Sequence, residues 1–176
     1  MKISPNYSSR NHHFQDLMLH RIHDILLVAS PYDAFILEED GRLTEQILHE
    51  YLGMNLSYAP RVWQANTASY AMDLLSRRSV DLVIVMLRIS DMDFITFGTQ
   101  VKEQYKNKPI ILLAFDESEI KQLPENISEV IDNVFVWTGN SSVFPAIIKC
   151  IEDVKNVKRD VRKGNVRAIL FIEDTP

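Results

Sequence analysis

Residues 81–93 read Asp81-Leu82-Val83-Ile84-Val85-Met86-Leu87-Arg88-Ile89-Ser90-Asp91-Met92-Asp93, and this stretch decides the fold class. Leu82 to Leu87 is a short apolar run rich in β-branched residues and free of polar alternation, the pattern of a strand buried on both faces. Three similar runs lie on either side: Ile25-Leu26-Leu27-Val28, Ile110-Ile111-Leu112-Leu113-Ala114 and Val134-Phe135-Val136-Trp137. A weaker one is Arg61-Val62-Trp63-Gln64-Ala65. Strands covered on both faces belong to a parallel sheet with helices above and below it.

Helical patterns separate the runs. Leu43, Ile47, Leu48 and Leu52 fall on one side of a helix that follows the acidic loop Glu38-Glu39-Asp40 and the breaker Gly41. Ala71, Leu74 and Leu75 do the same within 68–78, and Phe94, Phe97, Val101 and Tyr105 within 94–105, where Asp93 is placed to cap. The stretch 118–130 is broken by Pro124 and predicts only a turn or two. Right-handed crossovers then give an α/β fold: a three-layer, doubly wound, five-stranded parallel sheet of flavodoxin type.

The expected organisation is an N-terminal extension over 1–23 with a short helix over 14–22, and an α/β domain over 24–152. A linker helix over 153–165 follows, and 166–176 hold the first strand of another unit. The last helix, capped by Ser141 or Ser142, carries Val143, Ile147, Cys150, Val154, Val157 and Val161 at spacings of four and three. It extends to Gly164, about 34 Å, too long to lie wholly against a domain of this size. Beyond Glu152 charges surround a narrow apolar seam, which suits a homodimeric coiled coil; an ordinary amphipathic helix with a frayed end is the alternative. Val166 to Ile172 is another buried-strand run, which either pairs with the sheet edge or begins a further domain.

The 176 residues suit one domain plus an appendage, and 46% apolar with 24% charged residues argues against a disordered or fibrous chain. A net charge of −5 gives no support for nucleic-acid binding, and no apolar run spans a bilayer or resembles a signal peptide. The single cysteine, Cys150, excludes an internal disulfide, which leaves a reducing, cytoplasmic compartment as the expectation.

Over residues 24–155 the order of elements resembles a response-regulator receiver domain. The resemblance implies an acidic pair after the first strand that holds Mg²⁺, a phosphoacceptor aspartate ending the third strand, a Thr or Ser ending the fourth and a Lys ending the fifth. The chemistry is plain: hard oxygen ligands for the metal, a carboxylate for attack, an ammonium for developing charge. This sequence holds Ala29 and Ser30 in the first place, Met86 in the second, Ala114 in the third and Trp137, followed by Thr138, in the fourth. Methyl, thioether and indole groups neither bind Mg²⁺ nor attack phosphorus. The expectation is a non-catalytic pseudo-receiver without cofactor, which works through contacts with proteins or with later domains of the same polypeptide.

Ala168 to Pro176 resembles the first strand and acidic pair of a second, better-preserved receiver, in which Glu173 and Asp174 would be metal ligands. The whole chain, notably the stretch from His20 to Leu52, resembles the N-terminal region of large bacterial proteins similar to pyruvate phosphate dikinase and phosphoenolpyruvate synthase. That resemblance implies an alternative, in which the chain is the front of a phosphotransferase acting on pyruvate or PEP. A transcriptional regulator and a small-ligand sensor with an apolar pocket at Met86, Ala114 and Trp137 are further options.

The remaining polar residues have bland readings. His20 and His23 lack the helical bundle of a phospho-accepting histidine, and His12, His13 and His49 make no zinc spacing with Cys150. Asp33, Asp91, Asp93 and Asp116 follow strand ends, as loop carboxylates and caps or as a rebuilt cation site. Trp63 and Trp137 are read as packing residues, and Cys150 as a small buried hydrophobe.

Overall fold

A computed structural model of the chain describes residues 19–39, 43–54 and 58–164. Five strands form the sheet: β1 (Asp24–Val28), β2 (Arg61–Ala65), β3 (Leu82–Met86), β4 (Ile110–Ala114) and β5 (Asn133–Val136). All neighbours pair in parallel, in the order β2-β1-β3-β4-β5. The helices are α1 (Pro31–Glu39), α2 (Leu43–Gly53), α3 (Ala68–Arg77), α4 (Phe94–Gln104), α5 (Glu117–Ile120) and α6 (Val143–Gly164), with a 3₁₀ segment at Glu125–Glu129. This is the expected doubly wound fold, and the strand order reverses between β1 and β3, where such sheets place their sites.

Side-chain alternation explains the three layers. Ile25, Leu27, Ile84, Met86, Ile111 and Leu113 face one way and pack with Leu37, Ile47, Tyr51, Phe144 and Ile147 of α1, α2 and α6. Leu26, Val28, Val83, Val85 and Leu112 face the other way, against Ala71, Leu75, Phe97 and Val101 of α3 and α4. Strands without a polar face can exist only between two such helical layers. Gly98 lets α4 pack closely on the second face: a Cβ there would run into Val130 Cγ1. Among the described residues no helix is long and apolar enough to cross a membrane.

Three expectations need correction. Residues 19–23 are not helical; 14–18 lie outside the described residues. Instead α6 side chains hold the segment: Ile22 N–H donates to Glu152 Oε1 (3.0 Å), His20 N–H donates to Asn156 Oδ1 (3.0 Å), and Asn156 Nδ2 donates to His20 O (2.7 Å). Second, Glu38 and Glu39 end a helix, α1, rather than lying in a loop. Ser30 caps it, since its Oγ accepts Asp33 N–H at 3.1 Å, and Pro31 fills the first turn, where its missing N–H costs nothing. Exposed Tyr32 and Phe35 blur the apolar period around Ala34 and Leu37, which is why spacing alone overlooks it.

At the start of α6, Ser142 O accepts Ala146 N–H at 3.2 Å, Asn140 Oδ1 accepts Ser142 N–H at 2.9 Å, and the Ser141 hydroxyl reaches Glu50. Third, the apolar stripe on α6 does not serve one purpose. Ile147 lies fully buried in the domain's own core and Val143 packs against it, whereas Val154 and Val157 are 66% and 41% exposed. The helix stays docked through Asn156, which is 1% exposed, so the domain's contacts pass the expected boundary at 152. The run 166–176, with Glu173 and Asp174, lies outside the described residues.

Candidate functional site

The carboxyl ends of β1, β3 and β4 and the residues just after β5 form the edge where a doubly wound sheet places its chemistry. β1 runs into Ala29 and Ser30, β3 ends at Met86, β4 ends at Ala114, and Trp137 follows β5. Ala29, Met86, Ala114 and Trp137 are all buried. Ala29, Met86 and Trp137 belong to one apolar cluster, in which the indole tilts against Phe144 with ring centroids 5.7 Å apart. Backbone bonds fix the register here: Ala29 N–H donates to Ala65 O, Ser30 N–H to Arg88 O, and Trp137 N–H to Ala114 O.

The charge at this edge comes from residues one or two turns further on. Asp33, 1% exposed on α1, accepts a two-pronged bond from Arg88: Nη2 to Oδ1 at 3.0 Å and Nε to both oxygens at 3.3 Å. Arg88 Nη1 stands 3.6 Å from Glu119 Oε1 on α5, and the guanidinium lies 5.8 Å from the Phe115 ring centre. Glu119 Oε2 accepts Phe115 N–H at 2.7 Å. One arginine thus ties the loops after β1, β3 and β4 together. The Asp33 hydrogen bond raises the already high pKa of the guanidinium, which stays charged at every accessible pH.

The other aspartates at these loops are helix caps. Asp91 accepts from Ala68 N–H (2.6 Å) and Ser69 N–H (3.1 Å), Asp93 from Thr96 N–H (2.9 Å), and Asp116 from Ser118 N–H (2.7 Å). Hydroxyl donors come first among the causes that lower their pKa values: Ser69 for Asp91, Thr96 for Asp93 and Ser118 for Asp116. Among the described residues no group of three or more His, Cys, Asp or Glu side chains is arranged to hold a metal ion.

A divalent cation of the kind receiver domains hold does not fit this donor set. Mg²⁺ demands several hard oxygen ligands. A methyl group and a thioether stand at Ala29 and Met86, and the nearest buried carboxylate, Asp33, is already neutralised by a guanidinium. No step through a metal follows from these residues.

Sequence reasoning located Ala29, Ser30, Met86, Ala114 and Trp137 at the strand ends but missed the Asp33–Arg88–Glu119 network. A signal was available: Asp33 stands three residues after the cap Ser30, where a carboxylate usually turns back to the helix end. Trp63 is a half-buried packing residue, its Nε1 donating to Asp24 (2.8 Å) and its face covered by Arg78 at 3.7 Å. Cys150 is half-buried; burial raises its pKa, and Asn133 Nδ2 approaches its sulfur at 3.6 Å. His20 and His23 take part through backbone groups: His23 N–H donates to Asp81 Oδ2 at 2.8 Å.

No family profile matches the sequence, and no curated protein does. Solved structures do match in shape. The signal receiver domain of an HD domain-containing protein from Pseudomonas fluorescens superposes with a TM-score of 0.56 at 24% identity, over 81% of this chain and 95% of that one. The receiver domain of the response regulator AraT from Geobacillus stearothermophilus gives 0.56 at 19%, over 78% and 98%. TrrA from Thermotoga maritima, solved in complex with Mg²⁺ and BeF, gives 0.53 at 19%, over 73% and 97%. The chain therefore has the receiver fold.

Proposed function

We propose that this chain is a regulatory module, a pseudo-receiver that acts by contact with proteins or with other domains of its own polypeptide and takes no phosphoryl group. The observation that carries the reading is the Arg88 guanidinium lodged between Asp33 and Glu119, at the carboxyl edge of the sheet beside Met86. A fixed organic cation does there what a metal and an ammonium do in a phosphorylatable relative: it balances carboxylates and joins the loops. With Met86 at the end of β3, no carboxylate among the described residues ends that strand to attack. Self-association through the exposed part of α6, at Val154 and Val157, belongs to the same reading.

The test is incubation of the purified chain with acetyl phosphate and Mg²⁺, followed by intact-mass measurement. The expected spectrum shows the unmodified mass alone, and an acid-labile adduct of about 80 Da would overturn the reading. The run from Ala168 to Asp174 favours a second reading for a longer polypeptide, in which a complete receiver and a PEP/pyruvate-type phosphotransferase domain follow. Sequence beyond Pro176 distinguishes the two.

A further inference from the structure

The opposite, amino-terminal edge of the sheet carries a concentration of positive charge that the regulatory reading does not use. The loop from α4 to β4 meets α6 there in two adjoining clefts, of about 330 and 460 Å³, which share Lys106, Asn107, Pro109 and Lys155. Lys108 lines the first cleft and Lys102 the second, so four lysines line the pair in a chain whose net charge is −5. Two carboxylates line the clefts with them, Asp81 the first and Asp132 the second, and both already have partners. Asp81 accepts His23 N–H and Asp24 N–H at 2.8 and 3.0 Å; Asp132 accepts Ile110 N–H and Lys102 Nζ, each at 2.7 Å.

The ammonium groups keep donors to spare. Lys102 Nζ uses two, on Asp132 and on Lys108 O at 3.0 Å. Lys108 Nζ donates to Val80 O, Lys155 Nζ reaches Asp81 O only at 3.5 Å, and exposed Lys106 has no polar partner among the described residues. Burial lowers the Lys108 pKa, and Lys155 adds to the effect against the pull of Asp81; an added anion would relieve that repulsion. The second cleft also has an apolar wall, formed by Pro109, Ile151 and Val154, so it offers more than a bare ion needs.

We infer that this double cleft binds a small phosphate monoester, its phosphate held by Lys106, Lys108 and Lys155 and its organic part laid against Ile151 and Val154. Four ammoniums against two carboxylates leave two uncompensated positive charges, and a phosphate monoester carries about −1.5 to −2 at neutral pH. The combined space suits a sugar phosphate or a nucleoside monophosphate. The site is independent of whether the Met86 edge accepts phosphate.

The test is a titration of the whole chain at low salt with AMP, ribose 5-phosphate, inorganic phosphate and adenosine, followed by the backbone amide signals of Asn107 and Asn133. Saturable shifts are expected with AMP or ribose 5-phosphate, at least about tenfold tighter than with inorganic phosphate or adenosine. Lys106→Gln and Lys155→Gln are exposed substitutions that leave the fold intact, and each should weaken binding about tenfold through the loss of one charge-assisted bond. Lys158→Gln, further along α6, should change nothing. No saturation with either monoester by about 5 mM, equal binding of inorganic phosphate or adenosine, or insensitivity to both glutamines would overturn the proposal.

Discussion

Arg88 shows how one side chain can stand in for a site. Its fork matches the Asp33 carboxylate in the two-pronged geometry that lysine cannot supply, and its second arm turns toward Glu119. Asp33 is almost wholly buried, while the Arg88 side chain is 55% exposed, so water screens one partner but not the other. Removing the arginine leaves a buried carboxylate without compensation. Arg88→Met should therefore cost about 2–3 kcal/mol, at the lower side of what breaking a buried pair costs because Arg88 is half in solvent. Adding Asp33→Asn should recover more than half of that loss. Urea-denaturation midpoints of the two variants check it; an unchanged midpoint for Arg88→Met would show that the pair contributes nothing to the fold.

Among the elements, α6 does the most varied work. Its first turns bury Phe144, Ile147, Ile148 and Ile151 in the core beneath β3 and β4. Its middle carries Glu152 and Asn156, two buried polar residues that clamp the backbone of residues 20–22. Lys149 Nζ, 2.7 Å from Glu152 Oε2, neutralises the carboxylate so that it can sit inside. Asn156→Ala would strand both the N–H and the carbonyl of His20, at a cost of about 1–3 kcal/mol. Hydrogen exchange should locate the effect: amides at 20 and 22 lose protection while those of β3 and β4 keep theirs. Uniform loss across the sheet would mean that the clamp supports the whole domain and not this segment alone. The clamp was not legible from spacing, because glutamate and asparagine between charged neighbours read as solvent-facing residues. The same holds for α1, whose cap was visible at Ser30 and Pro31 while its apolar face was hidden by Tyr32 and Phe35.

At the scale of the molecule, the lysine clefts and the far part of α6 are two of the open surfaces. Val154 at 66% and Val157 at 41% exposure form an apolar strip on a 22-residue helix. Sedimentation equilibrium at high micromolar concentration should show a dimer, and Val154→Glu with Val157→Glu should weaken it by at least about tenfold, or 1.4 kcal/mol. A wild-type monomer under those conditions would remove the pairing from the proposed function. Val154 lines the second cleft as well, so the proposed ligand and the proposed self-association would compete for it. The five strands, the burial of β1, β3 and β4 on both faces and the residues Met86, Ala114 and Trp137 at the strand ends could be read from the linear chain, whereas the edge strand β5, expected to be buried on both faces, is only half-buried. Periodicity and residue type are local, and a run such as Leu82 to Met86 has one stable environment, between two layers of helices. The pairing of Asp33 with Arg88, the clamp of Asn156 on His20 and the gathering of Lys102, Lys106, Lys108 and Lys155 could not. Each brings together side chains from elements distant in sequence, and their positions are set by how the helices pack on the sheet rather than by any pattern within one segment.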